Sequence, residues 1–248
     1  VAAQLLGGGG REYQERYDVP DSIFAKVAVK ARRHAANNPF AVFRDPVTIE
    51  DVLASPRLYG PLTRLQACPP TCGAAAAVLT SESFARRHGL DTSVVIEAQA
   101  MTTDGASTFE GASMMRIIGY DMMKQAADAV YTAAGVGPND IDVAELHDCF
   151  TTNEVISYEA LGLCGEGDGA GFVADEANTY GGRCVTNPSG GLLSKGHPLG
   201  ATGLAQCYEL THQLRGSAER RQVPGARFGL QHNVGLGGAC VVTLYGRN

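Results

Sequence analysis

A glycine-rich stretch with a single histidine is the feature that most constrains what this chain can fold into. It runs from Asn187 to Gly203, reads NPSGGLLSKGHPLGATG, and holds His197 between a glycine and a proline. Glycine lets a backbone approach a ligand closely and adopt positive φ. A strand-like run precedes the stretch and apolar residues at helical spacing follow it, which predicts a strand, a loop and a helix. In an α/β protein such a loop is a common position for a binding or catalytic site, although a tight turn with an incidental histidine is the alternative.

The composition is that of a globular protein. The chain has 248 residues, of which 44% are hydrophobic and 19% charged, enough for one large or two small domains with a packed core. The net charge is −6 without a basic block, so we expect no nucleic-acid partner, and no apolar run is long enough to span a membrane. Seven cysteines without a CxxC pair favour reduced thiols in a cytosol-like compartment. Cys68 and Cys72 are a weak zinc motif, because no second pair follows at ligand spacing.

The periodicity predicts a layered α/β domain with a mixed sheet from residue 93 onward, in the order β, α, β, α, β, α, β, β. Residues 1–60 are predicted to be irregular, with a flexible patch at Gly7 to Gly10, except for helices over Phe24 to Ala31 and Thr48 to Leu53. The apolar run from Gly73 to Thr80 fits either a buried strand or a helix. The predicted strands are Val94 to Ala98, Asp142 to Leu146, Arg183 to Thr186, Phe228 to Asn233 and Val241 to Tyr245, and predicted helices lie between them.

Reactive side chains follow two of these strands. His147 and Cys149 end one strand, and His197 closes the glycine-rich loop after another. Strand ends on the same edge of an open α/β sheet meet at the ligand crevice. Cys149 also precedes a predicted helix, where unpaired N–H groups favour a thiolate. A thiol of low pKa near two imidazoles can act as a nucleophile or a proton shuttle, whereas a buried cysteine that serves only as a small apolar side chain is the alternative.

A glycine turn near the end of the chain is a further candidate. It spans Asn233 to Gly238 after a predicted strand. Its backbone N–H groups are suited to stabilise an oxyanion, and a plain hairpin turn is the alternative.

Together these motifs resemble those of the thiolases, and among them the sterol-carrier-protein type. Thiolases carry Gly-His-Pro, matched by residues 196–198, and this type carries His-Asp-Cys-Phe, matched by residues 147–150, where other thiolases have Asn-Glu-Ala-Phe. The resemblance runs through the whole chain. It implies an α/β thiolase fold, a layered α/β domain with a mixed five-stranded sheet of βαβαβαββ topology, preceded by part of a loop domain.

The resemblance also implies a division of the chain. Residues 1–68 correspond to part of the loop domain, residues 69–92 to the end of the N-terminal thiolase half, and residues 93–248 to the C-terminal thiolase domain. The chain starts at Val1 rather than Met, and none of its cysteines lies where the thiolase nucleophile belongs. We therefore expect it to be part of a longer protein, inactive alone, whose partners are the N-terminal half, a second copy in a homodimer, and a separate small OB-fold protein.

The chemistry implied is cleavage of a 3-ketoacyl-CoA by CoA, or the reverse Claisen condensation, in fatty-acid or sterol side-chain metabolism. Acyl-CoA is then a substrate, and no cofactor or metal is permanently bound. Asn233 stands where most thiolases have their acid/base cysteine, so Cys149 takes over proton transfer. His147 and His197 bind the thioester oxygen, with His197 also polarising the nucleophile, and the Gly235 N–H joins a second oxyanion site.

The remaining expectations concern binding and alternatives. A steroid side-chain aldolase of the same fold is one alternative function, against which the intact Gly-His-Pro loop argues, and a non-catalytic acyl-CoA-binding subunit is the other. The location is the cytoplasm in a bacterium, or the peroxisome in a eukaryote. Substrate contacts are assigned to Asn187, Ser189, Gly196 and Phe150, and CoA phosphates to Lys26, Lys30, Arg32 and Arg33, for which a solvated helix face is the alternative.

Overall fold

Helices make up most of the first 60 residues in the computed structural model, which describes the whole chain, residues 1–248. They are α1 (Ala2–Tyr17), α2 (Asp21–Ala35) and α3 (Ile49–Ala54), followed by a small antiparallel pair, β1 (Arg57–Tyr59) and β2 (Leu62–Thr63). The predicted α2 and α3 are present. Helix α3 starts after Thr48, whose hydroxyl accepts a hydrogen bond from the Asp51 N–H at 3.1 Å, the bond expected of a capping residue.

The prediction of a flexible patch at Gly7 to Gly10 is wrong, because these glycines lie in the middle of α1. A helical glycine is disfavoured by about 1 kcal/mol relative to alanine. The packing explains why they are helical here. A Cβ on Gly7 would come within 2.6 Å of the Tyr59 carbonyl oxygen, and one on Gly9 within 2.6 Å of Ile118 Cδ1. The glycines therefore allow α1 to pack closely against its neighbours.

Residues 67–93 cross from the N-terminal helices to the main sheet. Ala67 forms an isolated antiparallel bridge with Phe150. The run from Gly73 to Thr80 is neither a strand nor a helix and is mostly exposed, because no other strand lies beside it to complete its backbone hydrogen bonds. A short helix follows as α4 (Glu82–Arg87), capped by the Ser81 hydroxyl, which lies 3.2 Å from the Phe84 N–H.

The predicted mixed sheet is confirmed and has five strands. It consists of β3 (Val94–Thr102), β4 (Val143–Glu145), β5 (Val185–Thr186), β6 (Phe228–Gly235) and β7 (Ala239–Arg247), in the order β3-β7-β6-β4-β5. Strand β7 is antiparallel to both its neighbours, and β4 is parallel to β5 and β6. The carboxyl ends of β4, β5 and β6 therefore share one edge of the sheet, which is the edge the reactive residues were predicted to occupy.

Six helices surround this sheet: α5 (Met114–Ile117), α6 (Tyr120–Ala134), α7 (Thr151–Ala160), α8 (Gly169–Ala174), α9 (Gly191–Ser194) and α10 (Thr202–Arg215). The long helices α6, α7 and α10 were predicted. The short ones were not, because a helix of four to six residues is too short to show a repeat of apolar residues. Neither Thr151 nor Thr152 caps α7 with its side chain. The Thr152 hydroxyl instead donates to the Leu6 carbonyl at 3.0 Å. None of the chain's helices is both long and apolar enough to cross a membrane.

A single main core joins the N-terminal helices to the sheet. Leu6 of α1 and Phe24 of α2 belong to the same buried cluster as Met123 of α6 and Leu230 of β6. Residues 1–60 thus pack on the C-terminal region without a large core of their own. The boundaries at residues 68 and 92 remain predictions.

Candidate active site

One pocket of about 900 Å³ includes residues that follow the carboxyl ends of the parallel strands. His147 and Cys149 reach it from the segment after β4, His197 from the segment before α10, and Gly235 from the end of β6. Phe150 lines it as well. The four residues predicted to be catalytic therefore share a pocket, while the role of each remains a prediction.

The two pocket histidines face each other edge to face. Their ring centroids are 5.0 Å apart and their planes are perpendicular, at 90°. Burial, with the nearby His197, lowers the pKa of His147 to about 4. Burial and the charge of Lys195 also lower the pKa of His197. Both imidazoles are therefore neutral at pH 7, because their charged forms are poorly solvated there.

The environment of Cys149 differs from the one predicted. Burial raises the pKa of its thiol far above the ordinary value, and the neighbouring Cys68 and Asp148 raise it further. The backbone N–H groups of Cys149 and Phe150, just before α7, act in the opposite direction but are outweighed. The prediction of a favoured thiolate is therefore wrong, and Cys149 is a protonated thiol at neutral pH.

The pocket wall is mostly apolar, and no lysine or arginine lines it. Lys30, a candidate for CoA phosphates, is instead buried in an ion pair with Glu154, so that prediction is wrong. Arg33 pairs with Glu176 on the surface at 3.2 Å, and the Arg32 guanidinium lies 4.4 Å from the centre of the Phe43 ring. This pocket therefore fits an acyl chain better than a phosphate group.

Two of the predicted substrate contacts, Asn187 and Ser189, are buried beneath the pocket. Asn187 Oδ1 accepts the Leu146 N–H at 2.7 Å, and the Ser189 hydroxyl donates to Glu145 Oε2 at 2.8 Å. Gly196 is also outside the pocket lining, with φ of 114°. The observed contacts attach the glycine-rich loop to β4, and a direct contact of these residues with substrate stays a prediction.

Sequence reasoning missed three polar residues that position the site. The Asp148 carboxylate accepts the Leu192 N–H at 2.7 Å. Asn153 Nδ2 donates to the His147 carbonyl at 2.6 Å, and Gln206 of α10 donates to backbone carbonyls of the segment after β4 and of strand β6. Asp148 lies inside the recognised tetrapeptide, which was a usable signal. Gln206 and Asn153 had none, because their partners are set by the tertiary fold.

The structure places no three His, Cys, Asp or Glu side chains close enough together to hold a metal ion. Cys68 lines the pocket with Cys149, whereas Cys72 is exposed. The weak zinc motif therefore has no further ligands around it.

Residues 105–246 match a family model described as thiolase C-terminal domain-like. The chain belongs to the thiolase superfamily. Its similarity to sterol carrier protein 2 places it with the sterol-carrier type, since it is 55% identical to the rat protein over 245 residues, 98% of this chain and 45% of that one. It is also 38% identical to acetyl-CoA acetyltransferase of Methanothermobacter thermautotrophicus over 238 residues, 96% of this chain and 61% of that one. The chain spans about half the length of the curated relatives it matches.

Solved structures agree with the thiolase fold. One described as an Ltp2-ChsH2(DUF35) aldolase superposes with a TM-score of 0.84 at 25% identity, over 100% of this chain and 64% of that chain. A monomeric SCP2-thiolase-like protein of Mycobacterium smegmatis superposes with a TM-score of 0.71 at 19% identity, over 99% of this chain and 52% of that chain. The second likeness concerns the fold alone.

Proposed function

We propose that this chain supplies the C-terminal part of the active site of a thiolase that cleaves a 3-ketoacyl-CoA with CoA, or runs the reverse condensation. The observation that carries the proposal is the perpendicular pair of neutral imidazoles, His147 and His197, which lines one mostly apolar pocket with the Cys149 thiol. An acyl-CoA offers a thioester oxygen for polar groups and a chain for the apolar wall. The pocket is large enough for the reacting part of such a ligand.

In the thiolytic direction the bond between C2 and C3 of the 3-ketoacyl chain breaks after a cysteine thiolate supplied from outside this chain attacks C3. The electron pair remains on C2 as the enolate of the departing acyl-CoA, which is acetyl-CoA when C2 is unbranched, and the Cys149 thiol gives that carbon a proton. The acyl group then passes from the nucleophile to the sulfur of CoA, whose thiol proton restores Cys149. A thiol that burial keeps protonated suits the acid in this step.

The test uses the protein as its source organism makes it. Cys149→Ala should lower kcat for thiolysis of acetoacetyl-CoA by about 10²–10⁴-fold, the usual worth of a positioned acid or base. Acylation of the nucleophile does not require this thiol, so mass spectrometry after incubation with acetyl-CoA should still find an acyl-enzyme. Cys207→Ala is the matched control, because Cys207 lines the same pocket from α10. An equal loss of kcat in the two variants would mean that Cys149 has no specific role as the acid or base.

A thiolase-fold aldolase is the second candidate, favoured by the aldolase structure that superposes over this entire chain. A retro-aldol cleavage also leaves an enolate on the carbon next to the thioester, but it needs no acylated cysteine. Cleavage of a 3-hydroxyacyl-CoA without added CoA, with no acyl-enzyme in the mass spectrum, would select the aldolase. Failure of both reactions, with retained acyl-CoA binding, would select a non-catalytic subunit.

We also propose that other protein chains or segments cover the exposed apolar face near the pocket. Large apolar side chains near the pocket are exposed, with Leu79 70% and Leu199 83% accessible, and such patches mark interaction sites. We assign this face to an N-terminal thiolase half, and propose a homodimer and a small OB-fold partner by analogy with the two-component aldolase. Light scattering on the purified protein gives the mass, which tests for the N-terminal half and for the homodimer. Co-purification from the source organism tests for the OB-fold partner.

A further inference from the structure

Three buried polar residues follow one another at intervals of four along α2 and the turn after it. Lys30, His34 and Asn38 are each at most 4% exposed, and each contacts a residue between 186 and 189, where β5 leads into the glycine-rich loop. We infer that His34, the middle one, is a positioning residue for the two pocket histidines. The inference deepens the proposed function, because it concerns the same pair of imidazoles.

The hydrogen bonds of the His34 ring follow from its partners. Its Nδ1 lies 3.0 Å from the Asn187 carbonyl oxygen, and its Nε2 lies 2.7 Å from the Thr179 hydroxyl. Burial, with the charge of Lys30, lowers the pKa of His34 to about 3, so the ring carries a single N–H at pH 7. A carbonyl oxygen only accepts, so this hydrogen is on Nδ1 and the Thr179 hydroxyl donates to Nε2. His34 therefore donates to the Asn187 backbone.

Asn187 lies where the two segments that carry the pocket histidines meet. Its N–H donates to a carbonyl of β4 at 2.7 Å, and its Oδ1 accepts the N–H of Leu146, the residue before His147, at 2.7 Å. The loop that leads to His197 begins on its other side. Asn187 has a φ of 52°, in the left-handed region, where a residue other than glycine persists only with support from its surroundings. The bond from His34 is one of these supports.

The loop beyond Asn187 is held by the same part of the chain. Asn38 Nδ2 donates to the Ser189 carbonyl at 2.8 Å. The backbone N–H groups of residues 42–43 donate to the carbonyls of residues 194–195, at 3.0 and 3.2 Å. The loop thus takes its position from α2 and the segment after it as well as from β4.

The consequence concerns the spacing of the pocket rings, whose centroids are 5.0 Å apart. Without the His34 donor, we expect Asn187 to relax from its left-handed conformation, which moves both its contact with Leu146 and the start of the loop. His147 and His197 then shift relative to each other. A misplacement of about 1 Å can lower a rate by about 10²-fold. His34 therefore affects turnover although it lies outside the pocket lining.

The test is proton–carbon NMR of the ring C–H groups in histidine-labelled protein without substrate. Each pocket ring lies in the ring-current field of the other, so their signals report the spacing of His147 and His197. The signals are assigned by their loss in His147→Gln and His197→Gln. The protein used is the one that its source organism makes.

Two substitutions at one position separate the two bonds of the ring. His34→Gln should displace both pocket signals, because its amide reaches the position of Nε2 and leaves the Asn187 carbonyl without a donor. His34→Asn should keep the signals of the unsubstituted protein, since its amide places an N–H where Nδ1 lies. Equal displacement in the two variants would overturn the inference, as would unmoved signals in folded His34→Gln.

A matched control separates position from stability. Tyr131→Phe removes a buried hydrogen bond from α6 to the Leu161 carbonyl. It should lower stability but leave both pocket signals and kcat unchanged, whereas His34→Gln should lower kcat for acetoacetyl-CoA by up to about 10²-fold. Displaced pocket signals in Tyr131→Phe would mean that lost stability alone moves the histidines, and would overturn the inference.

If His34→Gln does not fold, Asn38→Ser takes its place. Serine is too short to reach the Ser189 carbonyl, while its hydroxyl can still accept the Phe40 N–H, which Asn38 Oδ1 accepts at 3.0 Å. The His197 signal should be displaced, and an unmoved signal would overturn the inference. These spectra need no catalysis, so a protein that shows the expected displacements but cleaves no acyl-CoA would refute the proposed function alone.

Discussion

The buried carboxyl group of Asp148 accepts a hydrogen bond from the Leu192 N–H at 2.7 Å, across 44 positions of the chain. The same carboxyl group is 3.3 Å from the Leu193 N–H. A side chain on Gly191, where φ is +60°, would collide with it. The two segments that carry the pocket histidines are thus attached to each other through the Asp148 side chain. The spacing of His147 and His197 depends on this contact.

The first prediction concerns the pH dependence of this contact. Burial and the nearby Glu154 raise the pKa of Asp148 to about 8, so between pH 4 and 8 the folded state binds a proton that the unfolded state releases. The stability contribution of Asp148 is therefore present below pH 4 and is lost as pH rises through 8. In urea unfolding, wild type should lose stability relative to Asp148→Asn over this range, by at most about 1.4 kcal/mol per pH unit. A difference that stays constant with pH would contradict the raised pKa.

The second prediction concerns thiol reactivity. Alkylation by iodoacetamide requires a thiolate, and burial raises the pKa of both Cys149 and Cys68, the latter to about 12. At pH 7.5, peptide mass spectrometry should find Cys72, which is exposed, alkylated well before either of them. Cys72 is the internal control for reagent quality. Labelling of Cys149 at the rate of Cys72 would instead support the thiolate that the sequence predicted.

The parts of the fold that could be predicted are those marked by a regular repeat of apolar residues or by a helix-capping residue. Helices α2 and α6 were found because their apolar residues repeat at helical spacing, and the single-turn α9 was missed because it has no such repeat. The exposed run after Gly73 shows a different limit. Small apolar residues predict burial, but burial requires a partner surface that this chain does not contain.

The candidate site was predictable in its residues and less so in its electrostatics. Strand ends brought His147, Cys149 and His197 to one pocket because the parallel strands share an edge. A thiolate at Cys149 was predicted from the position of this residue before a helix, an argument that counts favourable N–H groups but not the desolvation of a charged sulfur. Gln206 was not predicted at all, since its partners lie on two strands far away in the chain.

The third prediction concerns the buried ion pair between Lys30 of α2 and Glu154 of α7. Lys30 Nζ also donates to the Thr186 hydroxyl at 2.6 Å. Lys30→Met should lower the free energy of unfolding by about 3–5 kcal/mol, because it leaves the Glu154 charge buried without a partner. Urea unfolding measures this loss.

Two further variants make that result specific. Arg33→Met removes an exposed ion pair on the same helix and should cost no more than about 1 kcal/mol. The double variant Lys30→Met with Glu154→Gln should be more stable than Lys30→Met alone, since it removes the unpaired charge. Equal losses of unfolding free energy for Lys30→Met and Arg33→Met would mean that the buried ion pair contributes no more to stability than the exposed one.

The last prediction separates the glycines of α1 by what surrounds them. A Cβ on Gly7 would meet the Tyr59 carbonyl oxygen at 2.6 Å, a backbone atom that cannot rotate away, whereas one on Gly8 would meet only the flexible end of Met114 at 3.0 Å. Gly7→Ala should therefore destabilise the protein by about 1–3 kcal/mol, the usual cost of overpacking. Gly8→Ala should be neutral or stabilise it by up to about 1 kcal/mol through helix propensity. Both are measured by urea unfolding, and a stabilising Gly7→Ala would mean that the glycines serve flexibility, as their sequence first suggested, rather than close packing.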